Sequence, residues 1–157
     1  MIEYFTDGAC SKNGYAGSSG GFGVVGMEND KVVFAYSHHE KETTNNRQEL
    51  KAILYTLIKF GKNNPIPVVY TDSAYCYNTL TSWMWIWERN GWLKSDNKTP
   101  ENLDLIREYF NLYSKEGYRI QLQKCKGHNG VLGNELADKL ATGRITAKEI
   151  MDGNKEK

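Results

Sequence analysis

Apolar residues alternate with small or polar ones along much of the first 37 positions, a pattern typical of β-strands. Three such runs are separated by glycine-containing or polar spacers, and we expect strands at Ile2–Thr6, Gly21–Met27 and Lys31–Ser37. The spacer Glu28-Asn29-Asp30 has the composition of a tight turn. The pattern therefore predicts a three-stranded antiparallel meander at the start of the chain.

The apolar spacing then lengthens from two residues to three or four, which is typical of a helix. One face of this predicted helix carries Leu50, Ile53, Leu54, Leu57 and Ile58. Gly61 is expected to end the helix, because glycine adopts the backbone angles that close a helix C-terminus. The short apolar run Ile66–Thr71 follows, and it indicates a buried strand added parallel to the sheet.

Strands and helices alternate in the rest of the chain. A second helix is expected to begin near residues 72–73, and a third at Thr99, with Pro100 as its first helical residue. Residues 118–123 alternate apolar and polar side chains and predict a last strand, and a last good helix is predicted over Asn134–Thr142. This order indicates an α/β fold around a sheet of mixed direction.

The length of 157 residues is that of one domain, predicted to span 1–150, with a short polar tail over 151–157. The chain lacks an apolar run of the about 18 to 20 residues that a membrane span needs, and its acidic first residues do not resemble a secretion signal. A cytoplasmic location without membrane attachment is therefore expected. The three cysteines are an odd number and lack the C-x-x-C spacing of zinc sites, so reduced thiols are expected.

Two aspartates each follow a predicted strand and precede a small residue, in Thr6-Asp7-Gly8 and Thr71-Asp72-Ser73. Either one alone is more often a turn or helix-capping residue. Together they should lie at one edge of the sheet, where ligands of α/β proteins bind, and two carboxylates there would bind a divalent cation. The net charge of +1 gives no independent sign of a nucleic-acid partner, since such domains are often strongly basic.

Three further residues are candidates for chemistry, and each has a common alternative. Glu49 lies at the border of the apolar helical face near the helix start, where an acid also simply favours the helix dipole. Asp138 is rotated by about 200° from Leu136 on a helix and alone would be assigned to a solvated face. His128 lies in a glycine-rich loop at 127–133, which suits either a surface residue or a mobile proton carrier.

Four segments, which together run from Met1 to about Thr142, resemble in order and spacing the sequence blocks of type 1 ribonuclease H (ribonuclease HI). They are Thr6-Asp7-Gly8-Ala9-Cys10, Thr44-Asn45-Asn46-Arg47-Gln48-Glu49-Leu50, Thr71-Asp72-Ser73 with Tyr75, and Lys126-Gly127-His128 with Asn134-Glu135-Leu136-Ala137-Asp138. The resemblance implies a ribonuclease H-like fold, with a five-stranded mixed sheet of three antiparallel strands and parallel additions, flanked by helices. It also implies an endonuclease that hydrolyses the RNA strand of RNA/DNA hybrids.

By the same resemblance, the catalytic metal ligands are the four carboxylates Asp7, Glu49, Asp72 and Asp138. They would hold two Mg²⁺ ions in the substrate complex, with Mn²⁺ as an alternative, and the products would carry 5′-phosphate and 3′-hydroxyl ends. His128 matches a loop histidine that assists proton transfer or product release. The physical need agrees, since adjacent acids repel one another until hard cations neutralise them.

The resemblance also implies contacts with the substrate. Residues that match the family's minor-groove contacts are Cys10, Asn13, Asn45 and Asn46. Asn13 and Thr44 also match a pocket that grips a phosphate of the DNA strand. Short amide and hydroxyl groups suit the wide minor groove of a hybrid, although Asn13 before a glycine is equally typical of a turn.

The tryptophan-rich segment 83–94 resembles the surface with which the family follows the DNA strand. Trp92 and Lys94 are the candidate contacts, while the four-residue spacing of Trp83 and Trp87 favours packing in the core. Acids offset the basic residues here, so hybrid affinity is expected to be weaker or more salt-sensitive. Ala74 is a further departure, because an amide-bearing residue is common at that position in the family.

Two other functions stay open: a hybrid-binding module without turnover, and a resolvase-like DNA nuclease of the same fold. Replacement of one acid would favour the first, but all four acids are present. The Thr-Asn-Asn run beside Glu49 is not a feature of the resolvase-like proteins. An RNA/DNA hybrid is the expected partner, and nothing in the sequence demands more than a monomer.

Overall fold

The structure, a computed structural model, describes residues 1–11, 17–125 and 131–155. The described residues form five strands: β1 (Glu3–Ser11), β2 (Ser19–Glu28), β3 (Lys31–Lys41), β4 (Val68–Thr71) and β5 (Gln121–Lys124). They also form six α-helices: α1 (Asn45–Phe60), α2 (Ala74–Asn78), α3 (Met84–Arg89), α4 (Leu103–Ser114), α5 (Leu132–Thr142) and α6 (Ala147–Lys155). A π-helical turn, Thr79–Trp83, joins α2 to α3. None of the described helices is long and apolar enough to cross a membrane.

The strands form one sheet in the order β3-β2-β1-β4-β5. β1, β2 and β3 pair antiparallel, which confirms the predicted meander. β4 pairs parallel to β1, and β5 pairs parallel to β4, so the sheet is five-stranded and mixed, as expected. The pairing of β1 with β4 stops at Phe5, whereas β1 stays paired to β2 as far as Ser11.

α1 packs its apolar face on one side of the sheet. Leu50, Ile53 and Leu57 are buried there, and Gly61 follows the last turn, both as predicted. The prediction that Ile58 belongs to this face is wrong, since its side chain is exposed. Each helical residue is rotated by about 100° from the one before it, and this step turns Ile58 outward.

α4 begins later than predicted. Its first residue is Leu103, and the preceding Asn102 has a left-handed φ of 58°. The Asn102 side chain donates through Nδ2 to Tyr75 Oη at 3.2 Å. This contact with a distant part of the chain fixes the turn and overrides the local start signal at Thr99-Pro100.

A second, smaller core lies on the opposite face of the sheet, under α5 and α6. Its buried residues are Phe5, Val25, Val32, Ala137, Leu140 and Ile150. α5 begins at Leu132, two residues before the predicted Asn134. α6 was not predicted from the sequence, and it extends through the first part of the segment expected to be a polar tail. Ile150 is the buried residue that ties α6 to this core.

Candidate metal centre

Asp7 lies inside β1, two residues beyond the point where β4 stops pairing with that strand. The prediction that Asp7 ends its strand is wrong, because β1 continues to pair with β2, with Asp7 opposite Gly23. The register of β1 and β4 nevertheless sets Asp7 level with Asp72, at the predicted edge of the sheet. The Asp7 side chain is buried, and its Oδ1 accepts the Gly8 N–H at 2.9 Å.

Asp72 follows the last residue of β4, as predicted. Hydrogen bonds fix the turn on both sides of it. Thr71 Oγ1 accepts the Ser73 N–H at 3.1 Å, and Ser73 Oγ caps α2 by accepting the Cys76 N–H at 3.1 Å. The parallel pairing of β1 and β4 therefore brings the Asp7 and Asp72 carboxylates to one place.

Glu49 reaches the same place because β1 and α1 touch at Gly8. A Cβ atom on Gly8 would lie 2.4 Å from the Glu49 nitrogen and 2.6 Å from the Gln48 carbonyl carbon, so only glycine permits this approach. The start of α1 is held by Thr44, whose Oγ1 accepts the Arg47 N–H at 3.1 Å. Glu49 is buried, and its Oε2 has no hydrogen-bond partner among the described residues.

The carboxylates of Asp7, Glu49 and Asp72 each offer one oxygen, and these oxygens lie within 4.8 Å of one another. Burial raises the pKa of Asp7 to about 7; a hydrogen bond from Glu49 opposes this rise, and the charges of Asp72 and Asp138 add to it. Burial also raises the pKa of Glu49 well above its ordinary value, as do the hydrogen bond and charge of Asp7. Without a cation, both carboxyls therefore hold a proton more readily than free acids do.

This donor set fits a divalent cation. Carboxylate oxygens are the ligands that Mg²⁺ and Mn²⁺ prefer. Glu49 Oε2 is buried and lacks a hydrogen-bond partner in the described part of the chain, and a cation bound by this carboxylate would compensate for the missing partner. A cation would also offset both causes of the raised pKa values of Asp7 and Glu49, which are burial first and the charges of neighbouring acids second.

Asp138 approaches the cluster from α5. This helix lies close on β2, because a Cβ atom on Gly23 would be 2.5 Å from Leu140 Cβ. The buried face of α5 is centred on Ala137 and Leu140, and Leu136 is only half-buried. Asp138 is half-buried as well, so it lies at the border of this face and not on the solvated face that its spacing from Leu136 predicted. The Asp138 side chain is 27% exposed, and it raises the pKa of Asp7 through both its charge and a hydrogen bond.

The predicted minor-groove residues lie in two neighbouring segments, and one of them, Asn13, is outside the described residues. Cys10 is half-buried on β1, and its Sγ lies 3.2 Å from the Thr43 carbonyl oxygen. Thr44 caps α1, and residues 45–46 are exposed in the first turn of that helix. The contact of Cys10 with Thr43 brings these segments together, and their role in substrate binding stays a prediction.

The tryptophans are arranged differently from the prediction. Trp83 is 41% exposed, so its assignment to the core is wrong. The π-helical turn Thr79–Trp83 adds a residue to the helical spacing, which turns Trp83 outward and leaves Met84 fully buried. Trp87 is half-buried beside Trp83, with their ring centroids 6.2 Å apart.

Trp92, a predicted substrate contact, is half-buried and packs against the larger core, which includes Leu50, Ile106 and Phe110. Its ring packs edge-on against Phe110 with a centroid distance of 5.2 Å, and the Arg107 guanidinium lies 5.5 Å from its centroid. Lys94 is half-buried in the turn that follows, where its N–H donates to the Lys98 carbonyl oxygen at 2.9 Å. The contacts of Trp92 and Lys94 with a hybrid stay predictions.

Two features of the centre were missed by the sequence analysis. The role of Gly8 depends on the packing of α1 on β1, which the local sequence does not reveal. Arg144 donates to Asp138, and the only available signal was its position directly after Gly143, a residue type that lets a chain turn back at a helix end. His128 lies outside the described residues.

Comparison with known proteins gives a consistent match over nearly the whole chain. The family model for RNase H matches residues 1–146. Ribonuclease H of Saccharopolyspora erythraea is 39% identical over 156 residues, which cover 94% of this chain and 93% of that protein. Ribonuclease HI of Rickettsia prowazekii is 41% identical over 153 residues, covering 96% and 95%. The solution structure of the RNase H domain of prototype foamy virus has a TM-score of 0.76 and 25% identity, covering 90% of this chain and 92% of that domain.

Proposed function

The chain belongs to the ribonuclease H family and hydrolyses the RNA strand of RNA/DNA hybrids, and we propose that three clustered acids and a fourth beside them hold the divalent metal that this cleavage requires. These acids are Asp7, Glu49, Asp72 and Asp138. The approach of three carboxylate oxygens to within 4.8 Å of one another carries the proposal. A bound cation would neutralise this cluster and satisfy the buried Glu49 oxygen.

Mg²⁺ is the proposed metal, with two ions in the substrate complex and Mn²⁺ as a substitute. When bound, a divalent cation stabilises the negative charge that develops on the phosphate and on the departing ribose 3′ oxygen. The chain's own part is to supply fixed carboxylates, so a proton held by Asp7 or Glu49 must leave as the metal binds. Metal binding should therefore release protons and strengthen as the pH rises.

Asp7 is the proposed ligand shared by the two metal ions, because each of the other three acids lies close enough to shift its pKa. Glu49 does so through a hydrogen bond, Asp72 through its charge and Asp138 through both. His128 is proposed to assist proton transfer or product release, since an imidazole titrates near neutral pH. The proposed products carry 5′-phosphate and 3′-hydroxyl ends.

The hybrid duplex is the proposed partner, and the chain is proposed to act as a cytoplasmic monomer. The proposed contacts are Cys10, Asn13, Thr44, Asn45, Asn46, Trp92 and Lys94. Short polar side chains can reach the 2′-hydroxyls that distinguish RNA from DNA in a wide, shallow minor groove. The 3.2 Å contact of Cys10 Sγ with the Thr43 carbonyl oxygen supports this placement, since it holds the end of β1 beside the Thr-Asn-Asn run.

The proposed function is tested by incubating the purified chain separately with an end-labelled hybrid, single-stranded RNA, duplex RNA, duplex DNA and branched DNA. We expect cleavage of the hybrid's RNA strand alone, which is lost in EDTA and restored by Mg²⁺ or Mn²⁺. Binding of the hybrid without cleavage in either metal would favour a binding module. Cleavage of branched DNA alone would favour a resolvase.

A further inference from the structure

Asp138 forms an ion pair with a basic side chain of the same protein, Arg144. Arg144 Nη2 donates to Asp138 Oδ2, and the two groups form an ion pair at the end of α5. Asp138 is also the acid that adds both a charge and a hydrogen bond to Asp7. The Arg144 guanidinium is therefore bound to a carboxylate that is proposed to bind metal.

The backbone after α5 returns Arg144 to this carboxylate. Gly143 ends the helix with a left-handed φ of 77°, and the Arg144 N–H donates to the Lys139 carbonyl oxygen at 2.9 Å. Arg144 Nε donates to Thr142 Oγ1 at 2.9 Å, and this hydroxyl donates to the Asp138 carbonyl oxygen at 3.0 Å. The guanidinium is therefore oriented by Thr142 on one side and by the ion pair on the other.

The guanidinium and a divalent cation compete for Asp138. A positive charge on one carboxylate oxygen occupies a ligand position and repels a second cation nearby. Arginine stays protonated at every practical pH, so titration does not relieve this competition. The Arg144 side chain is 59% exposed, so solvent weakens the ion pair and a metal can displace the guanidinium into water.

We propose that Arg144 is a resident counter-cation of Asp138, which it orients in the metal-free protein and must release before metal binds. The inference rests on the proposed metal role of Asp138. Arg144 is accordingly a positioning residue that lowers the metal affinity of the site. Removing its charge should tighten divalent-cation binding by about two- to fivefold, the range for an exposed ion pair.

The test uses Mn²⁺ alone, titrated into the full-length chain without nucleic acid and followed by the electron paramagnetic resonance signal of the unbound ion. Arg144→Gln removes the charge and keeps a side chain that can hydrogen-bond to Thr142, while Arg144→Lys keeps the charge. Lys148→Gln is the matched control, because Lys148 is 85% exposed and pairs with Asp152 on α6. Circular dichroism in EDTA checks that each variant is folded.

Arg144→Gln should bind Mn²⁺ about two- to fivefold more tightly than the wild type, whereas Arg144→Lys and Lys148→Gln should stay close to it. Equal or weaker binding by Arg144→Gln, or the same gain in Lys148→Gln, would overturn the inference. Asp138→Asn separates this outcome from failure of the proposed function. If that variant binds Mn²⁺ as tightly as the wild type, the proposed metal role of Asp138 is wrong.

Discussion

Asp7 lies buried among three other acids, so its protonation links metal binding, pH and folding. The ordinary pKa of its carboxyl is 3.8, and the folded chain raises this pKa to about 7. Between these values Asp7 binds more protons in the folded protein than in the unfolded chain, so its contribution to the free energy of unfolding falls as the pH rises and is lost above about 7. Glu49, whose pKa is raised in the same direction, adds to this loss.

The melting temperature of the metal-free protein should therefore fall between pH 5 and pH 8. Asp7→Asn should reduce this fall and stabilise the metal-free protein at pH 8 by about 1–3 kcal/mol, because the amide does not ionise. Thermal unfolding in EDTA, followed by circular dichroism at several pH values, measures both effects. A wild type whose melting temperature does not change over this range would contradict the assigned pKa shifts.

Replacement of Glu49 should lower kcat more than replacement of His128. Glu49→Gln takes away a proposed metal ligand and should lower kcat on the order of 10³-fold, while His128→Ala removes only help with proton transfer and should cost about 10²-fold or less. Cleavage rates at saturating hybrid and Mg²⁺ give the comparison. A larger loss in the histidine variant would reverse the proposed roles.

At the scale of whole elements, the centre depends on the contact between β1 and α1 at Gly8. Gly8→Ala places a methyl group against the backbone of Gln48 and Glu49, so α1 must move away from the strand. We expect a loss of about 1–3 kcal/mol in stability and weaker Mn²⁺ binding. Urea unfolding and metal titration test this.

Gly153→Ala on α6 is the control for that change, because a Cβ atom there meets nothing within 4 Å. This variant should keep wild-type metal affinity and gain up to about 1 kcal/mol in helix stability. Wild-type metal binding by Gly8→Ala would show that the strand and helix contact does not position Glu49.

Trp83 and Trp92 should contribute unequally to stability, because Trp83 is exposed after the π-helical turn whereas Trp92 packs against the core. Trp92→Ala should lower the free energy of unfolding by about 2–3 kcal/mol, because the Trp92 ring packs on Phe110. Trp83→Ala should lower it by less than about 1 kcal/mol, because Trp83 is exposed. Chemical denaturation of both variants distinguishes them. Equal losses would contradict the outward position of Trp83.

Local patterns predicted those elements that depend on neighbouring residues. The meander and most of the buried face of α1 follow from residue periodicity. The shared edge of Asp7 and Asp72 was predicted from two similar strand segments, although only Asp72 follows the end of its strand. The start of α4 and the position of Trp83 were wrong, because a contact of Asn102 with Tyr75 and an extra helical residue decide them. The same limit applies to the site, where Gly8 and Arg144 act through tertiary contacts.

At the scale of the whole molecule, the charges nearly cancel. With 20 basic and 19 acidic residues, long-range attraction to a nucleic acid is weak, and hybrid affinity must come from local contacts. If Lys94 touches a phosphate, Lys94→Ala should weaken hybrid binding and reduce the slope of log affinity against log salt by about one. Fluorescence anisotropy at several salt concentrations measures this slope.

Lys148→Ala provides the matched control for this experiment, since the Lys148 ammonium pairs with Asp152 on α6. It should leave the slope unchanged. An equal change in both variants would mean that overall charge, and not a local contact of Lys94, sets the salt dependence.

The most direct test of the metal-centred mechanism is single-turnover cleavage of a hybrid whose two strands carry different labels, with wild type and Asp72→Asn compared in Mg²⁺. We predict that the wild type cuts only the RNA strand and leaves 5′-phosphate and 3′-hydroxyl ends. Asp72→Asn should remain folded and cut slower, on the order of 10³-fold or more. Wild-type cleavage in EDTA, or an undiminished rate in Asp72→Asn, would contradict the assignment of these carboxylates to a catalytic metal site.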